Sequence, residues 1–289
     1  MQLLGIFGHP ITHSLSPDMQ NAALQETGLD QKYVYLPFDI LPKHLEAAVA
    51  SLPVLGARGV NITLPHKEKV LPLLDDLDPQ ALAIGAVNTV LHENGRLKGY
   101  NTDGLGFIRS LREEGQCDPY GKTILLLGAG GAARAIAAAM ILQGAKEIMI
   151  LNRTLPRAEP IQEMIQNMGG TSSIYDFSPE DLTEKIQSAQ IIINTTSVGL
   201  YPPDQSLLAE YLDGLHGGQL VADIIYHPQE TLLLKQAKEK GCATLSGLGM
   251  LIYQGAEAFR LWTGVEAPVW AMRASLEKKL KKIDTSGNE

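Results

Sequence analysis

Two side chains in this 289-residue chain stand out for chemistry, a lysine and an aspartate, each set in a run of small polar residues. Lys67 closes the run Asn61-Ile62-Thr63-Leu64-Pro65-His66-Lys67, and Asp103 lies within Gly99-Tyr100-Asn101-Thr102-Asp103-Gly104. A third run, Gly85-Ala86-Val87-Asn88-Thr89, contributes Asn88. A Lys and an Asp held close together form a proton-transfer dyad. The carboxylate raises the lysine pKa, while burial and a neighbouring cationic ring lower it. Such tuning suits a general acid/base near neutral pH. The plainer alternative is a salt bridge. A fourth run, from Gly8 to Pro17, is rich in hydroxyls and holds Ser14 and Ser16. These suit a polar substrate, although Ser16 also reads as a helix N-cap before Pro17 at N1.

A second kind of chemistry is written around Gly128-Ala129-Gly130-Gly131-Ala132-Ala133. An apolar run precedes this turn and an Ala-rich stretch to Gln143 follows it, which reads as strand, tight turn and helix. That is the context a dinucleotide-binding turn requires. The first glycine makes the turn, the second lets backbone N–H groups approach a pyrophosphate, and Ala133 keeps the helix close to the strand. The anion then sits at the helix N-terminus. The next apolar run, 147–151, ends in Asn152-Arg153-Thr154, with Arg157 one turn later. An NAD site places a carboxylate here, about 20 residues on, to bind the ribose hydroxyls. Arginines instead clamp a 2′-phosphate through charge-assisted hydrogen bonds. The residues therefore point to NADP, the alternative being two solvated surface arginines.

The elements that position these residues alternate between strand and helix. Residues 3–7, 33–38 and 59–63 read as strands, and 18–27, 44–52 and 77–84 as helices. A strand from 85 to 91 enters a hairpin at Asn94-Gly95, a type I′ signal. Residues 107–114 read as a helix leaving this part of the chain. Further on, 157–168 reads as a helix, Ser178 as the cap of another, and 191–193 as a buried strand. Residues 220–226 and 244–245 read as strands, 231–240 as a helix. Two closing helices are expected at 250–262 and 269–282, with a frayed end at 283–289.

Composition excludes several classes. Apolar residues make up 45% and charged residues 19%, the net charge is -8, and the pI is about 5.4, which argues against a nucleic-acid partner. No apolar run approaches the roughly 18–20 residues of a membrane span, and no signal peptide is visible. Two isolated cysteines read as reduced thiols, consistent with a cytoplasmic protein. The seven histidines lack metal-ligand spacing, so no metal is expected.

Taken in order, the segments resemble the shikimate/quinate dehydrogenase family, and shikimate dehydrogenases most of all. The resemblance rests on HSLSP at 13–17, NITLPHK at 61–67, GAVNT at 85–89, GYNTDG at 99–104, GAGGAA at 128–133, NRT at 152–154 with Arg157, and GMLIYQGA at 249–256. It implies an α/β protein of two domains. Residues 1–104 would be the substrate domain, completed by helices at 248–289. Residues 105–247 would be a Rossmann NADP-binding domain with a parallel sheet. The implied reaction is the reversible NADPH-dependent reduction of 3-dehydroshikimate to shikimate, on the route to chorismate and the aromatic amino acids.

Carried over by position, Lys67 is the catalytic acid/base and Asp103 its partner. Ser14 and Ser16 hold the substrate carboxylate, and Thr63, Asn88, Tyr226 and Gln254 contact its carboxylate or hydroxyls. Gly128, Ala129, Gly130, Gly131, Ala132, Asn152, Arg153, Thr154, Arg157, Ile224 and Gly247 fall at cofactor positions. Two places depart from the commoner pattern. Gln20 stands where His is frequent, and Pro79 where an acidic residue lies near the cofactor, with Asp78 beside it. Two rival functions remain, a quinate/shikimate dehydrogenase using NAD or NADP, and a non-catalytic NADP-binding module. Either a monomer or a homodimer fits.

Overall fold

The computed structural model describes residues 1–177 and 179–286. It divides into two units, Met1–Thr102 with Ile252–Glu289, and Asp103–Leu251.

The first unit opens with β1 (Gln2–Gly8), α1 (Ser16–Glu26), β2 (Tyr33–Asp39), α2 (Leu45–Val54) and β3 (Gly59–Ile62). It continues with β4 (Asp76–Leu77), α3 (Pro79–Ile84), β5 (Thr89–Glu93) and β6 (Arg96–Tyr100). The sheet order is β2-β1-β3-β5-β6-β4. β1 pairs in parallel with β2 and β3, while β5 runs antiparallel to β3 and β6. The β5–β6 hairpin turns at Asn94 and Gly95 with φ of 53° and 74°, the left-handed values of a type I′ turn.

The second unit begins with α4 (Asp103–Glu113), β7 (Thr123–Leu127), α5 (Gly131–Leu142), β8 (Glu147–Leu151), α6 (Leu155–Asn167) and β9 (Ser172–Tyr175). Then come α7 (Pro179–Ser188), β10 (Ile191–Asn194), β11 (Leu220–Asp223), α8 (Leu232–Glu239) and β12 (Ala243–Leu245). Its six strands are all parallel in the order β12-β11-β10-β7-β8-β9. This is the doubly wound dinucleotide-binding order, in which the chain reverses direction beside β7. The central strands β10, β7 and β8 carry apolar runs because helices cover both faces; Ile124–Leu127 and Ile191–Ile193 are wholly buried.

The last helices are α9 (Gly247–Thr263) and α10 (Val269–Ser286). Within the first unit, the indole N–H of Trp262 on α9 donates to the Val90 carbonyl at 3.0 Å. Gly59 has no Cβ because one would collide with that indole. Gln20, the departure from the commoner pattern, donates to the Gly255 carbonyl at 2.9 Å and ties α1 to α9.

Several expected boundaries move. Ser16 is not an N-cap: α1 already includes it, Leu15 occupies the cap and no side chain caps the helix. α4 starts at Asp103, four residues before the expected Phe107, since a carboxylate in the first turn complements the helix dipole. β5 starts at Thr89 rather than 85, because Gly85 adopts φ 68° to close α3. α10 runs past residue 282 to Ser286, and 287–289 lie outside the described residues. Ser178, expected to cap α7, also lies outside them.

Candidate active site

In the first unit the polar residues gather where β1, β3 and β6 end and β5 begins. The segment after β3 is pinned at several points. Thr63 N–H donates to Phe7 O, His9 N–H to Leu64 O, and His66 N–H to Thr63 O. His66 is fully buried, and its Nε2–H donates to the Ile40 carbonyl at 2.7 Å. Lys67 follows, half-buried, and its own carbonyl accepts from Val87 N–H at 2.8 Å. The lysine thus stands on a short, cross-braced turn.

Asn88 is 2% exposed and its carboxamide is held on both sides. Its Oδ1 accepts from Thr102 N–H at 2.8 Å and from Thr89 Oγ1–H at 3.0 Å. Its Nδ2 donates to Thr102 Oγ1 at 2.9 Å and to Gln254 Oε1 at 3.3 Å. Gln254 comes from α9, so the fold brings two expected substrate contacts, 166 residues apart, into hydrogen-bonding distance. Ser14 and Ser16 are also neighbours, Ser16 N–H pointing at Ser14 Oγ at 3.4 Å. Ser16 is buried and Ser14 and Thr63 are half-buried.

In the second unit, Gly128 turns the chain after β7 with φ 103°, and a Cβ there would come within 2.7 Å of the Thr196 side chain. Gly130 is the N-cap of α5 and supplies no side-chain cap. The first-turn N–H groups of α5 therefore face outward, and a Cβ at Gly130 or Gly131 would meet nothing within 4 Å. That open cradle at a helix N-terminus fits a pyrophosphate. Ala129 and Ala132 beside it are half-buried. At the end of β8, Asn152 Nδ2 donates to Thr154 O at 2.7 Å and shapes the turn. Arg153, Thr154 and Arg157 are exposed, as a phosphate clamp requires. Gly247 abuts Ile224, where any Cβ would collide with the Ile224 carbonyl. Tyr226, half-buried, follows β11, and burial pushes its phenol above the usual range. Asp103, the first residue of α4, is 5% exposed. Asp78 acts as N-cap of α3, accepting from Gln80 N–H at 3.0 Å.

Comparison with known proteins bears on this arrangement directly. The family description "Shikimate dehydrogenase substrate binding domain" matches residues 6–90. "Shikimate / quinate 5-dehydrogenase" matches 112–225, and "Shikimate 5'-dehydrogenase C-terminal domain" matches 247–277. A curated relative from Methanopyrus kandleri, named Shikimate dehydrogenase (NADP(+)), is 45% identical over 280 residues, covering 96% of each chain. The chain belongs to the shikimate dehydrogenase family. Among solved structures, the shikimate 5-dehydrogenase of Listeria monocytogenes in complex with shikimate and NAD has a TM-score of 0.89 at 39% identity, covering 96% of both chains. The ligand-free 5-ketofructose reductase of a Gluconobacter species is also similar, with a TM-score of 0.87 at 38% identity over 96% of this chain and 98% of its own. A frame this general leaves the choice of substrate to side chains.

Three residues that sequence reading passed over shape this member of the shikimate dehydrogenase family. His66 braces the turn carrying Lys67. Tyr35 lies fully buried beneath the polar cluster, its hydroxyl 2.7 Å from Asn61 Oδ1. Asp223 ends β11 and organises the loop that follows. It accepts from Asn194 Nδ2 at 3.1 Å, Ile225 N–H at 3.0 Å and Thr231 Oγ1–H at 2.8 Å. Burial raises its carboxyl above the usual range despite these donors. Its signal in the sequence was a lone acid closing the apolar run 220–222. Among the described residues, no group of His, Cys, Asp or Glu could hold a metal ion, and no helix is long and apolar enough to cross a membrane.

Proposed function

We propose that this chain is an NADP-dependent shikimate dehydrogenase that interconverts 3-dehydroshikimate and shikimate. The first unit is the substrate domain and the second the NADP domain. The observation that carries the substrate reading is the Asn88–Thr102–Gln254 cluster, where a buried carboxamide, a half-buried one and a buried hydroxyl suit a small molecule bearing several hydroxyls. Ser14 and Ser16 take its carboxylate, and Thr63 and Tyr226 complete the contacts. The cofactor pyrophosphate rests on Gly128, Ala129, Gly130, Gly131 and Ala132. Arg153 and Arg157, with Asn152 and Thr154, hold the 2′-phosphate, and Ile224 and Gly247 lie at the nicotinamide end. When bound, NADPH supplies the hydride.

Lys67 carries the proton chemistry. Its Nζ donates to the ketone oxygen as negative charge develops there, and takes the proton back in the reverse direction. The braced turn fixes the backbone from which that side chain extends, which lowers the cost of positioning it. Asp103 is the carboxylate of the acid/base pair.

Lys67→Ala tests this. Turnover of shikimate with NADP should fall by about 10²–10⁴-fold, while NADP affinity measured by calorimetry stays within twofold. Near-normal turnover would remove Lys67 from the mechanism.

A further inference from the structure

A chain of hydrogen bonds runs through the first unit from Tyr35 to Gln254, and the direction of every donor in it can be assigned. The Asn88 backbone carbonyl only accepts, so the Asn61 atom 3.1 Å from it is Nδ2. That nitrogen also donates to Thr89 Oγ1 at 3.1 Å. Asn61 Oδ1 is then the acceptor facing Tyr35, so the Tyr35 hydroxyl must donate to it, at 2.7 Å. Tyr35 thereby commits its one proton to Asn61. At the other end, Asn88 Oδ1 accepts from Thr102 N–H, so Thr89 donates to it. Asn88 Nδ2 donates to Thr102 Oγ1 and to Gln254 Oε1. Thr102 Oγ1 passes its proton on to the Gln254 backbone carbonyl at 3.0 Å.

The order Tyr35, Asn61, Thr89, Asn88, Gln254 is thus a one-way relay. Tyr35, Asn61, Thr89 and Asn88 are each no more than 5% exposed. At that burial each link depends on the one before. The relay ends on Asn88 and Gln254, two of the residues assigned above to contacts with the substrate.

We propose that Tyr35 is a positioning residue for substrate recognition, fixing the carboxamide of Asn88 through Asn61 and Thr89. The proposal rests on the shikimate dehydrogenase reading of this site. Burial keeps the phenol protonated across the working pH range, so it always has a proton for Asn61. Without the phenol oxygen, Asn61 Oδ1 is left buried and unpartnered. A flip brings no relief, because it would set Oδ1 against the Asn88 carbonyl. The Asn61 carboxamide therefore loses one anchor, and its hold on Thr89 and Asn88 loosens.

Steady-state kinetics of Tyr35→Phe with shikimate and NADP separate this from a packing role. The KM for shikimate should rise about fivefold to twentyfold, the scale of one or two lost hydrogen bonds. The kcat should stay within about twofold, and the KM for NADP and the pH profile should not move. In a Thr89→Val background the Tyr35→Phe factor should shrink, because its effect passes through Thr89. An unchanged KM for shikimate, or the same factor in both backgrounds, overturns the proposal. So does a parallel loss of kcat and of both KM values. If Tyr35→Phe does not fold, Thr89→Val breaks the same relay from the other side, and the same KM rise is expected. Wild-type protein that does not oxidise shikimate at all defeats the functional reading first, before Tyr35 is at issue.

Discussion

The two units carry their polar chemistry in opposite ways. In the first, the candidate ligand-facing groups are side chains, buried in a continuous hydrogen-bond network on a mixed sheet. In the second, they are largely backbone groups at glycine turns on an all-parallel sheet, with exposed arginines at the margin. A dinucleotide presents phosphates, which backbone N–H groups and a helix N-terminus satisfy without any particular side chain. A small hydroxy acid needs donors and acceptors at individual positions, and those must be held by other polar groups. The first unit should therefore be sensitive to isosteric changes deep in its core, and the second to added volume at its glycines.

Substitutions that break this contrast rank as follows. The largest effect is expected from Gly247→Ala. Its methyl would collide with the Ile224 carbonyl, and relieving that overlap costs about 1–3 kcal/mol and displaces the turn. NADP affinity should fall at least tenfold in a titration, with the shikimate KM unaffected. Next is the double change Arg153→Ala and Arg157→Ala. Loss of the charge-assisted bonds should weaken NADP about tenfold to a hundredfold and leave NAD binding alone. Equal losses for both cofactors would detach these arginines from the 2′-phosphate.

Asp223→Asn should have the smallest effect, and one that depends on pH. Burial raises the folded-state pKa of Asp223 above the ordinary 3.8. Its ionised form is thus disfavoured in the folded protein, so the group costs nothing below 3.8. The cost grows as pH rises from there and is complete once the raised pKa is passed. Asn keeps the shape and lacks that charge. Its stability relative to wild type should improve with pH through this window, as read by denaturant midpoints. A difference independent of pH would refute the account.

What could be read in advance follows the same division. The β7–α5 turn was legible because glycine and alanine spacing there answers a local backbone demand, and the Asn94-Gly95 hairpin for the same reason. Ser16 misled, because its cap-like position before Pro17 is a local signal, while the helix already includes Ser16 and leaves Leu15 at the cap. The relay through Asn61 and Thr89 joins residues on different strands, and no spacing along the chain encodes that pairing. β4 and β9 escaped notice as edge strands. β4 has two residues, and Ser172 and Ser173 give β9 neither alternation nor an apolar run. α4 was placed late because the glycines at 104 and 106 resemble a loop, although Gly104 is where α4 packs against the Ala135 carbonyl of α5.

The most direct test of the whole account is absorbance at the reduced-nicotinamide band, with purified protein offered shikimate or quinate, each with NADP or NAD. Rapid reduction with shikimate and NADP, and slow reduction in the other three pairings, is the predicted result. Comparable rates with NAD would contradict the assignment of Arg153 and Arg157, and comparable rates with quinate or NAD would move the chain towards a quinate/shikimate dehydrogenase. No reduction in any pairing, from folded protein that still binds NADP, would contradict catalysis itself.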